Sequence, residues 1–294
     1  SSRFSFTLRV LPKRRRHPSN LNLRLSCGTE EGNGDVSRAP DKERLMPNAF
    51  AYLVLFSSPL VMLLLFLFQP LHKALIWSLL GAYLLLPPPP TGLDVPLLRS
   101  LDKETLTVIM LTGLAVWRYG TKALTLPFRT TGRVLMAIFV LSPVLTAITN
   151  SEPLFFLNGL TVPSLRWNDA LGLCVAQVMT LLPFVLAYNA LNERETLRTL
   201  LVAIVIAGVF YSLPMLIEIR LSPQLNNWIY GYHQHLFSQT IRASGYRPLV
   251  FLEHGLWLAF FIMTACLGAL ALWRATPPPG RALYMMAFLY LTLI

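Results

Sequence analysis

The sequence predicts an all-α fold: a polytopic transmembrane helical bundle of about eight membrane segments, the last one cut. Three observations carry that prediction. Of the 294 residues, 54% are hydrophobic and only 13% are charged, whereas a soluble domain carries about a quarter charged residues. Several apolar runs approach or exceed the ~18 residues that mark a membrane span. The ~10-residue segments of alternating polarity that a membrane β-barrel needs are absent.

The chain divides into residues 1–45 and a transmembrane domain, residues 46–294, that looks incomplete at its C-terminus. The first part, "LPKRRRHPSNLNLRLSCGTEEGNGDVSRAPDKERL" at its centre, is polar and rich in Gly, Pro, Ser and Asn, a composition that predicts disorder. It has no apolar stretch of the kind a secretory signal needs. Met46 opens the first apolar run, so the expected start of the protein is Met46, with a functional basic tail as the alternative. The net charge is +11, of which +5 falls in residues 1–45 and +6 in the rest. Basic residues of the membrane part sit in loops, as a topology signal does. No aromatic–basic interleaving suited to single strands is present, so nucleic acid is not an expected partner; the lipid bilayer is.

The apolar runs cover about 50–69, 73–87, 105–118, 134–149, 169–190, 197–219, 249–273 and 282–294. "PPPP", Pro87–Pro90, stops the second, because proline lacks the N–H that a helix interior requires, and suggests a stiff extended connector. The last run ends after thirteen residues, short of a crossing. Lys122, Arg129 and Arg133, then Arg194 and Arg198, then Arg274 and Arg281 mark three loops as cytoplasmic by the positive-inside rule. Loops 150–168 and 220–248 alternate with them and face outward; counting back puts Met46 outside, whereas the basic tail pulls toward a cytoplasmic N-terminus, which needs one further crossing. Cys27, Cys174 and Cys266 share no metal or redox spacing.

Loop 220–248 reads "RLSPQLNNWIYGYHQHLFSQTIRASGYRP". Leu225, Trp228, Ile229 and Tyr232 have helical spacing, so residues 223–238 predict an amphipathic interfacial helix. The plain alternative is an interfacial anchor. Arg220, Arg242 and Arg247 lie on the side that the positive-inside rule disfavours. Arginine grips phosphate oxygens through a rigid fork and keeps its proton, so the cluster suits a lipid-linked phosphate or pyrophosphate; headgroup snorkelling is the alternative. Gly245 permits a tight turn and Pro248 is expected to open the next helix, setting Arg242 and Arg247 at a helix N-terminus that favours anions. Glu253 and His254, within that helix, are candidate catalytic groups. Glu218 is a further intramembrane carboxylate, read as structural, paired with Arg220 or Arg247. The "HQH" of His233 and His235 does not chelate one ion from a helix, where the rings point about 200° apart; no metal and no cofactor is expected.

Taken together, "EIR" at the end of a span, an outer loop and "RASGYRPLVFLEHGL" resemble the O-antigen ligase / O-antigen polymerase superfamily. Arg242, Gly245, Tyr246 and Pro248 match its pattern of an arginine, a glycine three residues on, an aromatic and a proline. The resemblance covers roughly residues 46–294 and is sharpest over 216–258. It implies a bacterial inner-membrane, multi-pass glycosyltransferase of polysaccharide or lipopolysaccharide biosynthesis. Such a protein moves a glycan from an undecaprenyl-diphosphate carrier to an acceptor hydroxyl on a glycan, a lipid core or a protein, without metal. It implies that Arg242 and Arg247 hold the pyrophosphate. The family's essential histidine lies in a large later loop, which this chain stops before, so His254 does not simply inherit that role, and the fragment is expected to be inactive alone. A transporter or flippase of lipid-linked or anionic substrates is the alternative, and a non-catalytic assembly protein a third; a transporter's internal repeat is not found.

Overall fold

The computed structural model describes residues 46–95, 98–127, 129–150, 152–155, 161–242 and 245–294, all within one compact unit. Residues 1–45, read above as a disordered basic segment, lie outside the described residues, and Cys27 with them. The eight apolar runs form eight helices. They are α1 (Ala49–Phe68), α2 (Leu71–Leu85), α3 (Lys103–Tyr119), α4 (Thr130–Thr149), α5 (Trp167–Ala190), α6 (Arg194–Leu221), α8 (Gly255–Ala275) and α9 (Arg281–Leu293), with a short α7 (Leu225–Tyr230) between α6 and α8. Five of them, α1, α4, α5, α6 and α8, are long and apolar enough to cross a membrane. The expected eight spans thus reduce to five of full length. At about 1.5 Å per residue, α2 and α9, with 15 and 13 residues, are shorter than a ~30 Å hydrocarbon core.

Short β-ribbons ornament the loops. β1 (Leu93–Val95) pairs with β2 (Leu98–Leu101), β3 (Leu154–Phe155) with β4 (Thr161–Val162), and β5 (Ile241–Arg242) with β6 (Gly245–Tyr246), each antiparallel. Helix starts carry the expected caps. Asn48 accepts from the Ala51 N–H, and Asp102 Oδ1 accepts from the Glu104 and Thr105 N–H groups, satisfying donors that the first turn leaves unpaired.

One core joins α1, α2 and α3 through Leu55, Phe66, Leu75 and Leu111. A second joins α2, α6, α8 and the segment before α8 through Tyr211, Val250, Leu252, Leu258 and Phe261. α6 and α8 approach closely at Gly208, where a Cβ would lie 2.5 Å from Ala265 Cβ. Small residues at such a crossing let backbones meet where the lipid supplies no hydrophobic drive between helices.

The ends of the bundle are pinned by hydrogen bonds. At one end Arg118 donates to the Gln69 carbonyl (3.0 Å), Tyr119 Oη accepts from the Leu71 N–H (3.1 Å), and Asn189 donates to the Ala123 and Thr125 carbonyls. The loops after α1, α3 and α5 therefore share that end, with Arg118, Lys122 and Arg194 in or beside them. At the other end Asn48 Nδ2 donates to the Ile229 carbonyl (2.9 Å), the Asn48 N–H to that of Tyr230, and Tyr230 Oη to that of Leu85 (2.5 Å). The start of α1, the end of α2 and the long loop after α6 meet there, the alternation that loop charge predicts.

Two local expectations fail. The loop is not one amphipathic helix over 223–238: α7 stops at Tyr230 because Gly231 takes a left-handed conformation (φ 85°). Tyr232 then turns inward, fully buried, its hydroxyl bonded to Thr91 and to the Pro88 carbonyl. Nor does Pro248 open a helix. Residues 247–254 are irregular and α8 begins at Gly255, with His254 as its N-cap. Glu253 and His254 therefore precede the helix instead of lying in it.

Candidate functional site

The irregular segment 249–254 has no helix or ladder to take up its backbone groups, and buried backbone groups must be paired. Side chains from three parts of the fold do so. Glu218, near the end of α6 and 1% exposed, accepts from the Leu249 and Val250 N–H groups at Oε2 (both 2.7 Å) and from the Leu225 N–H at Oε1 (3.1 Å). Tyr211 Oη accepts from the Phe251 N–H (3.1 Å). Gln234 Nε2 donates to the Val250 and Leu252 carbonyls, and Lys103 Nζ, from the head of α3, to that of Phe251 (3.4 Å). The partners of Glu218 are thus backbone N–H groups, and not Arg220 or Arg247 as the pairing reading expects. The suspension holds Val250 at φ 55°, a left-handed conformation that is a genuine outlier for a β-branched residue.

The two arginines stand just before this segment in the chain. The hairpin β5–β6, with Gly245 at φ 147°, carries Arg242, whose Nη1 donates to the Gln239 (3.0 Å) and Ile241 (2.8 Å) carbonyls. The Arg247 N–H donates to the Thr240 carbonyl (2.8 Å), and its half-buried side chain folds back across Gly255, the first residue of α8. The arginine–helix-terminus juxtaposition therefore arises, through Gly255 and not through Pro248. The Arg247 guanidinium has no hydrogen bond or ion pair with any described residue. Arg220 is exposed in the last turn of α6 and lines none of the cavities described below.

Both Arg242 and Arg247 line a cavity of about 260 Å³ with His235, Gln239, Thr240 and His254. Both also line a larger groove, about 620 Å³, whose other walls are mainly apolar side chains of α6, α8 and α9, among them Met215, Ile219, Leu258, Ile262 and Leu291. Gly245 and Tyr246 border that groove as well. The imidazoles of His235 and His254 lie 5.0 Å apart. His235 Nδ1 accepts from the Leu236 N–H (2.8 Å) and His254 Nδ1 from the Leu256 N–H (3.2 Å). A ring nitrogen that accepts carries no proton, so each neutral ring bears its proton at Nε2. His254 is thereby suited to donate to an anion. To act as a general base it must give up the helix cap.

Of the residues singled out in the sequence, Arg242, Arg247, Gly245 and His254 line the cavity or the groove, and Glu253 lines neither. The sequence presents His235 only as a metal ligand and does not single out Gln234, Lys103 or Tyr211. Lys103, 3% exposed at the head of an apolar run, carried the available signal of an ionisable group beside a membrane segment. The His233 ring lies tilted against that of Phe237, with centroids 6.3 Å apart, and burial lowers its pKa. Cys174 and Cys266 are free and half-buried. Among the described residues no three His, Cys, Asp or Glu side chains gather to hold a metal.

The chain was compared with protein-family models, curated proteins and solved structures, and none of them matches it.

Gly255 gives this geometry a direct check. A Cβ there would overlap Arg247 Cγ and Cδ, so Gly255→Ala is expected to push the guanidinium out of the cavity. Alanine is a better helix former than glycine, so thermal stability should hold or rise slightly. Anion affinity should fall by about tenfold, the equivalent of one displaced charge-assisted hydrogen bond. Binding equal to wild type would show that Arg247 does not depend on this close approach.

Proposed function

We propose that this protein binds a lipid-linked diphosphate and, as part of an O-antigen ligase / polymerase-like glycosyltransferase, passes its glycan to an acceptor hydroxyl on the extracytoplasmic side of the bacterial inner membrane. One observation carries the reading: Arg247, half-buried and without a partner among the described residues, stands where an apolar groove meets a polar cavity. A polyprenyl diphosphate has the matching chemistry, an apolar tail joined to a compact anion. The tail fits the groove between α6, α8 and α9. The diphosphate fits the arginine cavity, where its charge offsets the hydration that a half-buried, unpaired guanidinium has lost.

In transfer, the acceptor oxygen bonds to the anomeric carbon as the carbon–oxygen bond to the diphosphate breaks, and the diphosphate leaves with the electron pair. In this reading Arg242, Arg247 and the Nε2–H donors of His235 and His254, which line the cavity, stabilise that growing charge, the term that preorganised donors supply best. None of these groups has the free lone pair of an acceptor base. The proton of the acceptor hydroxyl therefore falls to Glu253 or to residues outside this chain. The test is direct: the protein in lipid nanodiscs is given an undecaprenyl-diphosphate-linked glycan and an acceptor glycan or lipid core, and carrier binding and product are both measured. Binding with or without turnover supports the diphosphate site. If the carrier does not bind at all, the reading falls.

A further inference from the structure

A separate cavity of about 290 Å³ lies between α2, α3 and α5 and shares no lining residue with the groove or the arginine cavity. Leu79, Val108, Val175 and Met179 give it apolar walls, and Lys103, Glu104, Thr107 and Thr180 polar ones. It lies at membrane depth. On α5 its lining runs from Val175 to Pro183, within a helix long enough to cross. Glu104 stands about 22 Å from the bundle end marked by Tyr119, at 1.5 Å per residue, within a ~30 Å core. Ionisable groups at such a depth are functional candidates by default.

We propose that this cavity binds an organic ammonium, an apolar body bearing a protonated amine, whose charge is met by Glu104. The site does not rest on the diphosphate reading above.

The balance of charge carries the inference furthest. The cavity's lining has two charged side chains, and one is already offset. Lys103 is 3% exposed and donates to the Phe251 carbonyl. Glu253, which is not part of this lining, is the carboxylate that acts on it most strongly. Asp102 is committed to the α3 cap, where it also offsets the positive helix end that would repel a cation. Glu104 is left. Its carboxylate acts on Lys103 and Tyr83 through space but has no hydrogen bond or ion pair with any described residue. A carboxylate without a partner at this depth is costly, and a bound cation offsets that cost.

The hydrogen-bond sense agrees. Thr107 and Thr180 each donate the hydroxyl proton to a carbonyl four residues back, those of Lys103 and Ala176. What remains to them is oxygen lone pairs, which accept. An ammonium brings three donors, and a carboxylate ligand brings none. The volume far exceeds that of a bare metal ion, and the apolar walls suit a hydrocarbon body. A Glu104 that merely reaches for the membrane surface is the competing account, and it gives a different result below.

The experiment uses three probes with one phenylethyl body: phenylethylammonium, phenylethanol and phenylpropanoate. Each is titrated calorimetrically into the protein in nanodiscs, with empty nanodiscs subtracted. The ammonium is expected to bind about tenfold more tightly than the alcohol, since charge-assisted hydrogen bonds are the stronger kind. The carboxylate should bind most weakly. Glu104→Gln should bring the ammonium to the alcohol's level while leaving the alcohol within about twofold. Thermal unfolding of this variant should match wild type, because the carboxylate has no partner to lose. Ala176→Phe, which narrows the cavity, should weaken ammonium and alcohol alike. Equal wild-type affinities for ammonium and alcohol overturn the proposal. So does tightest binding of the carboxylate, which would make Lys103 the charge that binds. Ammonium affinity that survives Glu104→Gln overturns it too, and would make Glu104 a surface-seeking group. Affinity untouched by Ala176→Phe in a folded variant places the amine elsewhere, and the absence of saturable ammonium binding removes the site altogether.

Discussion

Replacing Arg247 by alanine is expected to weaken undecaprenyl diphosphate binding by about 10- to 100-fold, since hydrogen bonds to charged groups contribute ~1.5–3 kcal/mol and 1.4 kcal/mol is tenfold. Arg242→Ala should cost less. Arg242 is exposed and its Nη1 already serves the Gln239 and Ile241 carbonyls, so part of its fork is committed to the hairpin. Arg247 has no such commitment among the described residues. Arg247→Lys should fall between wild type and alanine, because an ammonium retains the charge and loses the bidentate geometry. Arg220→Ala is the control: the side chain is exposed at the end of α6, away from the cavity, and its removal should leave the affinity within about twofold, as rim charges far from a ligand do. Equal losses for Arg220 and Arg247 would point to a diffuse surface field and against a built site.

Much of the fold was legible because membrane helices announce themselves. With no water to satisfy the backbone, an apolar run must become a helix, and eight runs did. What periodicity could not give was the stretch between α6 and α8. There the conformation is set by side chains reaching from elsewhere: Glu218 and Tyr211 from α6, Lys103 from α3, and Gln234 from the loop itself. A local rule places a helix start at Pro248, because proline suits a first turn. That rule loses to a carboxylate that claims the Leu249 and Val250 N–H groups and forces Val250 to a positive φ. The helix waits until His254 can cap it.

The candidate site was legible in the same uneven way. Arginine on the wrong side of a topology signal is a local observation and needs no fold. Which arginine stands unpaired, and against which apolar wall, depends on a hairpin register and on a glycine at position 255 that leaves room for a side chain. The histidines show the point most clearly. His235 and His254 are nineteen positions apart, and only the folded-back loop sets their rings 5.0 Å from each other.

Glu218 is where fold and site meet, and Glu218→Ala should be the most destabilising single change here. Removing the carboxylate leaves three buried or half-buried N–H groups, those of Leu225, Leu249 and Val250, without an acceptor. Each orphaned donor costs about 1–3 kcal/mol, so even with relaxation the loss should be on the order of 3–5 kcal/mol. Glu218→Gln should lose less. Its one oxygen can still serve Leu249 and Val250, while its amide nitrogen faces the Leu225 N–H, donor against donor. Val250→Gly separates strain from packing. Glycine removes the roughly 1–2 kcal/mol that a left-handed conformation costs a residue with a Cβ, and forfeits the ~1.5–3 kcal/mol of a buried valine side chain, so alone it should be mildly destabilising. The informative quantity is the coupling between the two positions in thermal or denaturant unfolding. In the Glu218→Ala background the segment is free to leave its strained conformation, glycine has less strain to relieve, and the combined loss should exceed the sum of the single losses. Simple additivity would mean that Glu218 does not hold Val250 in its strained state, and that the path from this carboxylate to the positions of Arg247 and His254 is broken.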